Sequence, residues 1–339
     1  MKKTLSAICL IALTACTQKS ELSLIQGFAQ GTTYHITIDL HDQSKLSIIE
    51  DEIKQEFLRL DQEISNYRSD SRIEKFNANL TTEIQETSEE IVHLIEIARK
   101  ISTSTEGCYD ITMKPLFDLW GFKKDVFHFP SDEELEQTRS LIGMDKLETI
   151  DKNHLRKTIP NLRVDLSSLG QGYSVARIAS IIESHHITNY LVEIGGELKT
   201  RGKKPNGNSW RIAMEKPIST ERKVEKIAVF ETGEPMSLMP SGTYRHFFDS
   251  NGKRYSHILD ARTGKPIEHH TALANAFMAD STLADAWSTA LLCVGSQKGL
   301  ELANKEGIAA LFVDQIDGKL IELSSKSLES SQTVRLESP

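Results

Sequence analysis

No excess of positive charge marks this chain: its 40 lysines and arginines are outnumbered by 48 acidic residues, for a net charge of -8. With no basic block either, it lacks the electrostatic footprint that drives counterion release on nucleic acid. No apolar run reaches the roughly 18 residues of a membrane-spanning helix, which excludes a polytopic membrane fold. Cysteine is scarce, four in 339 residues, and no C-x-x-C or Cys…His metal spacing occurs. The Gly-Lys-Ser/Thr of a phosphate loop is missing, as is the three-glycine dinucleotide fingerprint. No internal repeat is visible.

What is present suits a folded protein in water. Hydrophobic residues make up 39% and charged residues 26% of a chain long enough for about two domains or one large one. At the N-terminus, Lys2 and Lys3 precede a short apolar run and the sequence Leu13-Thr14-Ala15-Cys16. The run is too short to span as a mature helix and reads as a secretory signal over residues 1–15. Its ending resembles a bacterial lipobox, which implies cleavage before Cys16 and diacylglycerol on that thiol. Residues 16–24 then form a tether, 25–325 the folded unit, and 326–339 a polar tail expected to fray. Cys108 and Cys293 remain; an exported protein can join them, but 185 residues of separation show no disulfide framework, and structural filler is the default for both.

Alternation predicts a strand over 25–40, and apolar residues at helical spacing predict helices over 47–64 and 89–104. A capping-box start opens a helix at Ser131. A strand over 161–166 precedes a helix over 171–185. From residue 187 strands dominate, at 190–194, 210–214, 225–230 and 309–313, with turn signals at 205–208 and 250–253. Two further helices fall at 281–293 and 299–305. Strands and helices mix without regular βαβ alternation, so the expected class is α+β, with mixed or antiparallel sheets and packed helices.

Several segments could carry chemistry. On a helix, Asp285, Ser288 and Thr289 share one face, and apolar neighbours bury it. A buried carboxylate without a cation is costly, and oxygen ligation of a hard divalent ion resolves the cost. Helix capping by the aspartate, with hydroxyls bonded back to the helix, is the competing reading. The segment 165–173 feeds a helix through Gly170 and Gly172, where free N–H groups can hold anionic oxygens; a tight turn explains it equally. His257 near Asp260 and Arg262 can meet a phosphate or sit as a core histidine. Tyr67, and Cys108-Tyr109-Asp110 leading to Trp120, can line a planar-ring site or pack as turns. Gly195-Gly196 allows a close backbone approach or marks a bulge.

In order, these motifs resemble one family, the bacterial FAD:protein FMN transferases or ApbE lipoproteins. The carriers are GTTYHI (31–36), NYRSDSRI (66–73), TEGCYDIT (105–112), LWGF (119–122), DLSSLGQGY (165–173), VEIGGELKTRG (192–202), SGTYRHFF (241–248), YSHILDARTGKP (255–266) and ADAWSTALLCVG (284–295). The resemblance implies one catalytic unit with two subdomains and a cleft between them. It implies FAD as substrate, Mg²⁺ on the diphosphate, and transfer of FMN to a Thr or Ser hydroxyl of an acceptor flavoprotein of membrane redox complexes, releasing AMP. Asp285, Thr289, the Gly170 carbonyl and Ser288 fall on the metal positions. Gln30, Tyr67, Cys108, Tyr109, Asp110, Ser167, Tyr173 and Leu259 fall where the family contacts flavin nucleotide, and His257 at the reacting end. The implied location is the periplasmic face of the inner membrane, through lipid on Cys16. Three positions depart from the pattern: Gln30 replaces a methionine, Gln171 a lysine, and Ala261 a proline. A magnesium-dependent FAD pyrophosphatase and a non-catalytic flavin-binding lipoprotein are the alternatives.

Overall fold

The alternating run 25–40 is interrupted at Gln30-Gly31, whose φ angles of 52° and 79° are both positive. Two such residues in succession make the tight turn that suits a two-residue hairpin. In the computed structural model, which describes residues 21–122, 127–217, 223–244, 247–250 and 253–339, the run is therefore two strands rather than the expected one. They are β1 (Glu21–Ala29) and β2 (Thr32–Leu40). The first overlaps residues assigned to the tether. Cys16 and the signal lie outside the described residues.

These strands open an eight-stranded sheet whose members are neighbours in the order of the chain. The others are β3 (Tyr190–Ile194), β4 (Glu197–Arg201), β5 (Met236–Gly242), β6 (Thr271–Met278), β7 (Ala309–Ile316) and β8 (Lys319–Ser324). Every adjacent pair is antiparallel. One face carries Ile36, Ile38, Val192 and Ala274 into the main core. There it meets α1 (Leu46–Ile64), α2 (Glu89–Ser104), α3 (Ser167–Ser184) and α4 (Ser281–Glu306). The α+β class with antiparallel sheets is what the chain adopts. Among the described residues no helix is long and apolar enough to cross a membrane.

Leu198, Leu238, Phe277 and Leu311 on the opposite face pack against Trp210, Phe230 and Val334. These belong to a small sheet of Trp210–Glu215, Val224–Phe230 and Val334–Glu337. The tail expected to fray thus ends in a strand: Val334 buries its side chain, and the backbone pairs with Val224–Phe230. A third apolar cluster ties the helix Lys114–Trp120 to Leu259 and Ala261.

Two further expectations need correction. Residues 162, 164 and 166 are buried in alternation, yet 161–166 is not a strand. Asparagine side chains take the place of a neighbouring strand: Val164 N–H donates to Asn77 Oδ1 at 2.7 Å, Leu166 N–H to Asn66 Oδ1 at 2.7 Å, and Val164 O accepts from both amides. The two helices expected after residue 281 form one element broken at Gly295, whose φ of 79° and ψ of 168° are not helical.

Cys108 and Cys293 are joined in a disulfide, with their Cα atoms 6.1 Å apart. The 185-residue separation concealed this; only the packing of the post-α2 segment on α4 brings the thiols together. Removing both sulfurs by Cys108→Ser with Cys293→Ser should lower stability by about 2–5 kcal/mol, because the unfolded chain regains a long loop. Urea unfolding under non-reducing conditions measures it, and an unchanged midpoint would remove the staple role.

Lys157 is fully buried, with Nζ donating to Asn77 O at 3.3 Å and Asn79 O at 3.0 Å, at the C-terminal end of the helix Arg72–Ala78. Burial pushes its ammonium from 10.5 down to about 8. Between those values the unfolded chain holds more protons than the folded one, so this group makes stability rise with pH there. Lys157→Met should flatten that rise when urea midpoints of variant and parent are compared across the same window.

Candidate functional site

The two glycines expected to form a turn before a helix lie inside one. Gly170 N–H donates to Leu166 O at 2.8 Å, so the helical pattern begins ahead of both. Their absent side chains serve packing instead. A Cβ on Gly172 would stand 2.4 Å from Ser281 O and 2.5 Å from Asp285 Cβ, so α3 and α4 touch at this point. Through the gap Gly172 N–H donates to Asp285 Oδ2 at 2.7 Å.

Asp285 is only 6% exposed, and no lysine or arginine pairs with it among the described residues. Burial pushes its carboxyl up to about 7, against the opposing pull of the Gly172 N–H. The capping role belongs to Asp280, whose Oδ1 accepts from Thr282 N–H at 2.8 Å and Leu283 N–H at 3.0 Å. Asp285 is therefore not the cap that the competing reading required. Ser288 does match that reading: its hydroxyl donates to Asp285 O at 2.9 Å. Thr289 stands one turn beyond Asp285 and is half-buried. Gly170 O, a carbonyl inside α3, accepts the Ser174 hydroxyl at 2.9 Å. A carboxylate lacking a counter-ion, a hydroxyl and a carbonyl form a donor set that fits a hard divalent cation.

Around this contact the chain gathers several of the expected residues. Tyr109 Oη lies 2.9 Å from Ser168 Oγ, joining the 105–112 segment to the start of α3. Asp165 N–H donates to Ile111 O at 2.7 Å beside it. Burial, reinforced by the Asp285 carboxylate, holds the Tyr109 phenol well above its ordinary value. Cys108 O accepts from Ala261 N–H at 3.3 Å, and Cys293 Sγ lies 3.7 Å from Leu259 O. The disulfide thus holds Leu259 against α4. His257 follows the strand Lys253–Ser256 at a bend and is half-buried. Asp260 and Arg262 are turned on each other, Arg262 Nε donating to Oδ1 at 2.9 Å.

Other expected residues make different contacts. The Asp110 carboxylate accepts from Thr112 N–H at 2.7 Å, Thr112 Oγ1 at 2.6 Å and Met144 N–H at 3.2 Å, and burial raises its pKa. Ser167 Oγ donates to Asp165 Oδ1. Tyr173 donates its hydroxyl to Glu90 Oε1 at 2.6 Å, within a charge cluster that includes Arg59. The Tyr67 ring is 83% exposed. Gln30 occupies the β1–β2 corner, and this corner meets α3 through Gly195: a Cβ there would lie 2.3 Å from Gln171 Nε2 and 2.9 Å from Thr32. Gln171 Nε2 donates to Ile194 O at 2.6 Å, which fixes that junction. Cys108, Asp260 and Cys293 also place three ligand-type atoms together, but the disulfide occupies both sulfurs.

Sequence reading missed Gly172 N–H as the partner of Asp285, and Ser168 as the partner of Tyr109. A glycine at 172 within an otherwise helical pattern was the available signal for close helix contact.

This arrangement defines an α+β protein in which two helices touch at a buried carboxylate, with a disulfide-held segment beside them. The chain belongs to the ApbE family, whose profile matches residues 30–312. It is 35% identical to the FAD:protein FMN transferase of Haemophilus influenzae, over 97% of this chain and 98% of that one. With the Escherichia coli K12 protein of the same name, identity is 33% over 88% and 86% of the two chains. The flavin transferase ApbE of Vibrio cholerae superposes with a TM-score of 0.82 at 33% identity, covering 91% of this chain and 99% of that one. The apo flavinyl transferase ApbE of Pseudomonas stutzeri gives 0.82 at 34% identity, covering 91% and 96%.

Gly172→Ala should force α3 off α4, at a cost of about 1–3 kcal/mol. It should also abolish any rise in Tm on adding Mg²⁺. Thermal unfolding with and without the ion tests both, and a variant that keeps the parent's Tm and its Mg²⁺ response would show that the contact is not required.

Proposed function

We propose that this chain is an FAD:protein FMN transferase, dependent on Mg²⁺, that moves the FMN half of FAD to a Thr or Ser hydroxyl of an acceptor flavoprotein and releases AMP. The observation that carries the reading is Asp285, a buried carboxylate without a cation, at the α3–α4 contact of a chain in the ApbE family. Asp285, Thr289 and the Gly170 carbonyl would hold the ion, with Ser288 behind them. Bound there, Mg²⁺ supplies charge neutralisation at the diphosphate.

The remaining chemistry belongs to side chains and backbone. The acceptor hydroxyl attacks the phosphorus on the FMN side; its bond to the bridging oxygen breaks, and AMP departs with that oxygen. The hydroxyl proton must leave as the new P–O bond forms. His257 is the group assigned to take it, supported by its position beside the Leu259–Cys293 contact. Tyr109, fixed on Ser168, and Leu259, fixed on the disulfide, are suited to position the nucleotide, because their own freedom is already removed. The membrane redox complexes named by the resemblance would supply the acceptors. Diacylglycerol on Cys16 would keep the enzyme at the periplasmic face of the inner membrane.

Incubation with FAD, Mg²⁺ and an acceptor, followed by in-gel flavin fluorescence and AMP quantification, tests the proposal. The parent should give one AMP per flavinylated acceptor. Asp285→Asn should lose transfer by at least about 10²-fold. His257→Ala should lose about 10²–10⁴-fold while still binding FAD. Free FMN and AMP formed at the same rate without acceptor would instead mark a pyrophosphatase, and flavin binding with no AMP under any divalent ion would mark a storage protein.

A further inference from the structure

The eight-stranded sheet is covered unevenly. Its outer face at β4 to β7 is closed by the small sheet, whereas at the β1 edge it is open. There Leu22, Leu24 and Phe28 point outward at the two-residue period and are 38%, 56% and 73% exposed. Ile25, the inward residue of the same strand, is 2% exposed. Opposite them β2 presents Asp39, Thr37 and Thr33, with His35 opposite Gln26. The ionisable groups are engaged locally: His35 Nδ1 lies 2.7 Å from Glu193 Oε2, and Asp39 Oδ2 accepts from Asn189 at 3.1 Å. The result is an apolar stripe, interrupted by the uncharged Gln26, with little free charge, on an edge strand. In a water-facing position such a stripe is an aggregation hazard.

Chain length says what covers it. Glu21, the first residue of β1, stands five residues after Cys16. Fully extended, that interval reaches only about 18 Å. We propose that the outer face of β1, formed by Leu22, Leu24 and Phe28, lies in the interfacial layer of the phospholipid bilayer that holds the acylated Cys16. This rests on the lipidation reading above. Cleavage before Cys16 removes Lys2 and Lys3 and takes the net charge from -8 to -10. That charge offers no attraction to anionic headgroups, so the contact works by apolar burial and is insensitive to salt. It also orients the site. The far end of β1 is the Gln30–Gly31 corner that meets α3, so a strand laid along the bilayer keeps that corner of the protein next to the surface. The acceptor segments within reach are those displayed close to a membrane.

The test uses the full-length acylated chain carrying Leu24→Trp, reconstituted in vesicles of phosphatidylethanolamine and phosphatidylglycerol. The three native tryptophans, Trp120, Trp210 and Trp287, are 5%, 3% and 6% exposed, so they are shielded from both quenchers and form a constant background that the parent chain measures. Lipid brominated in the upper acyl chain should quench its emission by roughly half, equally at about 0.05 and 0.5 M salt. Adding Leu22→Glu should cancel most of that quenching. An indole quenched by aqueous iodide and untouched by bromolipid overturns the proposal, as does one shielded from both in a protein that sediments as a dimer. Mass spectrometry of the N-terminal peptide separates the two readings. Acylated Cys16 with an unquenched indole overturns the bilayer contact alone, whereas an unacylated Cys16 overturns the anchor and the contact with it.

Discussion

A carboxylate with no cation beside it, held where two helices touch, is the constraint on which the site depends. Burial of Asp285 is unfavourable to its charged form, and one N–H bond from Gly172 offsets only part of that. The surroundings favour the contact all the same. Gly172 has no side chain, so α4 can approach α3 closely enough for a main-chain donor to reach the carboxylate. A larger residue at 172 would separate the helices and relax the carboxylate. The strain is electrostatic, and a divalent cation would relieve it.

Three segments distant in sequence are fastened around this point by bonds of different kinds. The 105–112 segment is joined to α4 covalently through Cys108–Cys293, and to α3 through Tyr109 and Ser168. The 257–264 segment is attached to the first by Ala261 N–H on Cys108 O. Such cross-ties restrict both side chains and backbone before any ligand arrives, which is the condition for precise positioning. Asp110 and Asp260 belong to the fastening: one organises the turn at Thr112 and Met144, and the other holds Arg262.

Much of this was legible in the sequence, and the exceptions have physical causes. Helices α1 and α2 were visible from apolar spacing, α4 was legible as two helices, and its oxygen-bearing face followed from Asp285 and Thr289 one turn apart. The strand that was not a strand, 161–166, has true alternation; period alone does not reveal that Asn66 and Asn77 supply the missing neighbour. The turn at Gln30-Gly31 hid within a run of alternating residues. The last strand was obscured by serines around it, although Val334 and Leu336 keep the period that pairing requires. The disulfide lay beyond local pattern altogether. The asparagine neighbour, the last strand's pairing and the disulfide all concern partners distant in the chain, which is information that spacing does not contain.

Topology explains why the site residues were so scattered. Because the sheet's strands are neighbours in chain order, it needs no crossovers of its own, and each long excursion is free to build something on one face. The excursion from β2 to β3 carries α1, α2, the 105–112 segment and α3; that from β5 to β6 carries His257 and Leu259; that from β6 to β7 is α4 itself. Only Gln30 belongs to a tight connection. The excursion from β4 to β5 instead supplies two strands of the small sheet and closes the opposite face. Site and support are thus segregated by side, and the excursions on the helical face must be stapled to one another because the sheet alone does not fix their mutual positions. That requirement accounts for a disulfide between the first and third of them, and for the main-chain bond that carries Leu259 along with it.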